Sequence, residues 1–99
     1  MKNGYKILWT ENALKELALT IKYLEQNFTE KEIKKLAQKI ENVVKLISQN
    51  PKLFPKSDKK NIYRLVILKY NTLYYRVNET DIEILSFFSN RQNPKKKKL

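Results

Sequence analysis

Between Asn61 and Pro94 three apolar runs follow one another with only short polar breaks: NIYRLVILKYNTLYYRVNETDIEILSFFSNRQNP. The first is Ile62 to Leu68, the second Leu73 to Val77, the third Ile82 to Phe88. β-branched and aromatic residues dominate all three, and such residues favour pleated, half-buried surfaces. The breaks, Lys69-Tyr70-Asn71 and Asn78-Glu79-Thr80-Asp81, suit hairpin connections. The spacing predicts three consecutive antiparallel strands. If side chains alternate along the first of them, Tyr63, Leu65 and Ile67 face a core. Ile62, Arg64, Val66 and Leu68 then share the opposite, open face.

Upstream the pattern changes. Tyr5 to Trp9 reads as a short first strand, and Thr10 is placed to cap a helix whose first turn holds Glu11. From there apolar residues fall at Leu14, Leu17, Ala18, Ile21, Leu24 and Phe28, which is helical spacing with one buried stripe. Asn27-Phe28 ends that helix. Thr29-Glu30-Lys31-Glu32 has the form of a capping box, with the Thr29 hydroxyl on the Glu32 amide. The second helix carries Ile33, Leu36, Ala37, Ile40, Val43, Val44 and Ile47, and Asn50-Pro51 stops it. So short a link between helices makes an antiparallel helical hairpin.

The two apolar stripes need a surface to bury them, and the strands supply it. The expected fold is α+β: an N-terminal strand, a helical hairpin, then a three-stranded antiparallel meander, in the order β-α-α-β-β-β. Residues 51–60 form a loop in which Leu53 and Phe54 close the core edge. Residues 1–94 are expected to form one domain, and the lysines of 95–99 a disordered basic tail.

Composition narrows the chemistry. The chain has neither cysteine nor histidine, which excludes disulfides, thiol catalysis, Cys/His zinc sites and any Ser-His-Asp triad. Asp58, Glu79, Asp81 and Glu83 lie in or beside turns and are not spaced as metal ligands or glycosidase carboxylates. No metal or cofactor is expected. No apolar run approaches the roughly 20 residues needed to cross a bilayer, and the N-terminus lacks a signal-peptide core. A cytoplasmic location and no membrane partner are expected. The net charge is +11, of which the strand half, residues 51–99, holds +8. Such a balance points to an anionic partner or target.

Taken in order, WTENALKEL, ISQNPKLFP, IYRLVILKYNTLYYRV and IEILSFFSNRQNP resemble the RelE/ParE superfamily of toxins from bacterial type II toxin–antitoxin modules. The resemblance covers nearly the whole chain and rests on the order and spacing of these motifs. It implies a helical hairpin on an antiparallel sheet. It also implies one of two activities: cleavage of mRNA on the ribosome, as in RelE-like members, or poisoning of DNA gyrase, as in ParE-like members. Neutralisation by a cognate antitoxin with an acidic, amphipathic segment is implied as well. The alternative from another class is a non-catalytic basic module that binds nucleic acid or protein.

On this resemblance Arg91, after the last strand, matches the arginine that binds the scissile phosphate in nuclease members. A fixed guanidinium there stabilises charge built on a phosphorane. Arg64 matches a basic position of the same groove, so Arg91 and Arg64 are the candidate catalytic pair. Lys56, Lys69, Arg76 and Tyr75 are the candidates for holding substrate or target, Tyr75 by stacking on a base. One departure stands out. Nuclease members carry a tyrosine shortly after the terminal arginine, whereas this chain has Gln92-Asn93-Pro94-Lys95. Without it the expected acid or base is missing, and the reading moves toward a ParE-like toxin.

Overall fold

The computed structural model describes residues 4–56 and 61–89. Its elements run β1 (Lys6–Trp9), α1 (Glu11–Asn27), α2 (Glu30–Gln49), β2 (Ile62–Ile67), β3 (Asn71–Val77) and β4 (Asp81–Ser89). The predicted order is present. β2, β3 and β4 form the antiparallel meander, and β1 joins parallel to β4, so the sheet is open and mixed with order β1-β4-β3-β2.

The helical hairpin covers one face of this sheet. Ala13, Leu24, Leu36, Ile40, Val43 and Ile47 from the helices meet Tyr63, Leu65, Ile67, Leu73, Tyr75, Ile82, Ile84 and Phe87 from the strands. On β2 the alternation is as expected, since Tyr63, Leu65 and Ile67 are buried while Arg64 and Val66 are exposed. Ile62, on the Arg64 side, is buried as well. In the loop after α2, Phe54 packs against the core, whereas Leu53 is 55 % exposed. Close approach also fixes the start of the chain. Tyr5 N–H donates to Ser48 O at 2.7 Å, and a Cβ on Gly4 would stand 2.7 Å from that same oxygen.

Two expectations need correction. Thr10 caps α1 as predicted, its hydroxyl accepting from Ala13 N–H. Thr29 makes no side-chain cap; the Glu32 N–H goes instead to the Thr29 carbonyl. A backbone oxygen thus satisfies the donor that the capping box would have served. The buried face of α1 is also rotated from the apolar stripe. Ala13, Thr20 and Leu24 are its buried residues, whereas Leu14 is 51 % exposed.

The cause of that rotation is the edge of β4. β1 ends at Trp9, opposite Ile84. Beyond it, α1 supplies polar side chains to β4's backbone: Asn12 Nδ2 donates to Leu85 O at 2.9 Å, and the Glu16 carboxylate accepts from Phe87 N–H at 3.0 Å. Thr10 Oγ1 donates to Ile84 O at 2.8 Å. A register shift opposite Tyr74 and Tyr75 falls at the same place on β4. Buried backbone groups must find partners, so this polar face turns inward at the expense of Leu14.

Candidate functional site

The face of the sheet turned away from the helices carries the candidate residues. Strand register places Arg64 opposite Tyr74, and Tyr74 opposite Ser86. One step along lie Val66, Thr72 and Phe88; on the other side lie Ile62, Arg76 and Glu83. Val66 is 58 % exposed. Ile62, Tyr74 and Ser86 on this face are buried, so what it exposes is mixed, with Arg64, Val66 and Arg76 the exposed members.

The charges on it are not equivalent. Arg76 reaches Glu83 at 3.5 Å, an exposed pair of the kind that contributes about 0–1 kcal/mol. Glu83 also accepts from Asn78 Nδ2 at 3.3 Å. Arg64 is exposed, and among the described residues its guanidinium makes no hydrogen bond or ion pair. Its backbone is anchored, because Arg64 N–H donates to Pro55 O at 3.0 Å and Lys56 bridges to Tyr63. The loop after α2 thereby covers part of the outer edge of β2, with Lys56 opposite Tyr63 rather than on the face of Arg64. An anchored backbone carrying an exposed cation suits recognition of an anionic or carbonyl-rich surface.

Lys69 lies elsewhere, in the β2–β3 turn of Leu68, Lys69 and Tyr70. Leu68 has φ 50° and Lys69 φ 73°, and Tyr70 N–H closes on Leu68 O at 2.7 Å. This is a γ-turn of positive φ on residues with side chains, a conformation that costs about 1–2 kcal/mol per residue. The Lys69 ammonium sits 5.9 Å from the Tyr70 ring centroid.

Tyr75 is not on this surface. It is fully buried, stacks on Tyr63 with ring centroids 5.4 Å apart, and donates its hydroxyl to Pro51 O at 2.7 Å. Burial, and secondarily the neighbouring Tyr63, raises its phenol well above the ordinary value. Leu73, Tyr75 and Val77 share the core parity, so the tyrosine on Arg64's face is Tyr74. Arg91 lies outside the described residues. The sequence reading placed Val66 on Arg64's face but missed Thr72 and Phe88 as neighbours, because strand register brings them there.

Hydrolytic or ribose-assisted cleavage needs an acid and a base beside the stabilising cation. The chain has no histidine. Among the described residues the carboxylates of β4, Asp81 and Glu83, are both hydrogen bonded to Asn78. Among the described residues no group of three or more His, Cys, Asp or Glu is arranged to hold a metal ion. No described helix is long and apolar enough to cross a membrane.

No curated protein matches the chain by sequence. Among solved structures it is similar to a chain of a chromosomal ParDE toxin–antitoxin system from P. aeruginosa, with a TM-score of 0.72 and 20 % identity over 86 % of this chain and 95 % of that one. It is also similar to a chain of the YoeB dimer from Staphylococcus aureus, with a TM-score of 0.60 and 25 % identity over 85 % and 94 % of the two chains. The family profile of the ParE toxin of the type II toxin–antitoxin system parDE matches residues 7–94. By this match and by its strand–hairpin–meander order, the chain belongs to the ParE toxin family of type II toxin–antitoxin systems.

Proposed function

We propose that this toxin arrests growth by docking onto DNA gyrase through the outer sheet face, with Arg64 at the centre, Arg76 on the same face and Lys56 at the rim beside β2. The observation that carries the reading is the exposed Arg64 guanidinium on the outer sheet face, which among the described residues has no hydrogen-bond or ion-pair partner. Arg91 belongs to this proposal as a second cation beyond β4. The +8 carried by residues 51–99 supports electrostatic approach to a DNA-bearing target.

A cognate antitoxin is the second partner in this reading. An apolar groove of about 420 Å³ runs between Trp9 and the two helices, lined by Leu17, Ile21, Ile33, Leu36 and Val44 among others. An amphipathic segment laid into such a groove buries its apolar side chains, and acidic residues on it would match the lysines of α2. The similarity to a chain of a ParDE system supports the assignment.

The test is to induce the chain alone in cells and follow thymidine and methionine incorporation in parallel. Thymidine incorporation falls first if gyrase is the target. A first fall in methionine incorporation would overturn the gyrase reading in favour of ribosome-bound mRNA. If neither moves, the chain is a non-catalytic basic binding module.

A further inference from the structure

A second site lies on the helix side of the sheet, away from Arg64. A cleft of about 350 Å³ opens between α1, the first turns of α2 and the β2–β3 turn. Leu24, Leu36 and Leu68 form its apolar walls, Lys35 and Lys69 contribute exposed cations, and Ser89 lines it from the end of β4. Ser89 is only 3 % exposed, and its Oγ is buried without a hydrogen-bond partner among the described residues. A hydroxyl in that state is a donor and acceptor in search of a ligand.

We propose that this cleft binds a free nucleoside monophosphate. The volume lies near the lower end of the range for small-molecule pockets, about 300–1,000 Å³, and exceeds what a lone phosphate fills. The leucine walls suit a flat ring. Ser89 Oγ meets a polar edge of that ring. The two ammonium groups meet the phosphate as point charges, and together they outweigh the single Glu32 carboxylate that also lines the cleft. Ser89 shares the core-facing parity of Phe87 on β4, whereas Arg64 points the other way. The site is therefore separate from the docking face, and ligand binding is testable without gyrase.

The experiment is an amide-shift titration of the full chain with 5′-AMP, 5′-GMP and inorganic phosphate at matched ionic strength. Saturable shifts at Leu36, Asn71 and Ser89 with a nucleotide, and weaker ones with phosphate, are expected. Ser89→Ala should lower nucleotide affinity about tenfold, the loss expected of one hydrogen bond. Lys69→Glu, in the exposed turn, should lower it at least as far. Phosphate binding as tightly as the nucleotides overturns the ligand class. Absence of saturable shifts in the cleft, or unchanged affinity in both variants, overturns the site.

Discussion

Glu16 on α1 holds Ser86 on β4, its carboxylate accepting the serine hydroxyl at 2.6 Å and the adjacent Phe87 N–H at 3.0 Å. A helix side chain thus does for β4 what a neighbouring strand does before Ile84. Glu16→Ala should cost about 2–3 kcal/mol, because hydrogen bonds to a charged group are lost and Phe87 N–H is left without its acceptor. That corresponds to a fall in melting temperature of roughly 10 °C or more for a domain of this size. Glu16→Gln keeps an acceptor oxygen and should lose less. Urea or thermal unfolding of both variants checks the ordering.

Tyr75→Phe should destabilise by about 1 kcal/mol through loss of the bond to Pro51 O. The pH dependence has a definite sign. The folded protein raises this phenol above its ordinary value of 10.0. The associated stability is therefore complete below about pH 10 and is lost as pH rises above it, because the unfolded chain ionises first. Wild type should show phenolate absorbance from Tyr75 only on unfolding, and Tyr75→Phe should lose stability less steeply in alkali.

The β2–β3 turn predicts a gain. Lys69→Gly places a residue without a Cβ at φ 73° and should stabilise the fold by about 0.5–1 kcal/mol, the strain relieved being partly offset by glycine's entropy. A fall in the unfolding midpoint would show that the turn is not strained.

Arg64→Glu should abolish growth arrest and gyrase inhibition in a supercoiling assay while leaving the melting temperature within about 2 °C, since its side chain is exposed and bonds to no other described residue. Arg76→Ala should reduce toxicity less, because the arginine is already engaged by Glu83. Equal toxicity of wild type and Arg64→Glu would remove the outer face as the docking surface.

The sequence by itself determined the elements and their order. Helical spacing, the Thr10 cap, the proline stop and the alternation around Arg64 are local signals, each decided by residues a turn or a strand step apart. It also set the chemistry's bounds, since a chain without histidine or cysteine has few acids and bases to offer. Tertiary structure decided what local pattern cannot carry. β1 pairs parallel with β4, distant in sequence, and ends at Trp9. The edge left beyond Ile84 is instead met by the side chains of Asn12 and Glu16, while Leu14 stays exposed, against the apolar stripe. The core parity of β3 sent Tyr75 inside and left Tyr74 beside Arg64. In each case an unpaired backbone group or a shared sheet face, created only by packing, outweighed the preference of the residue itself.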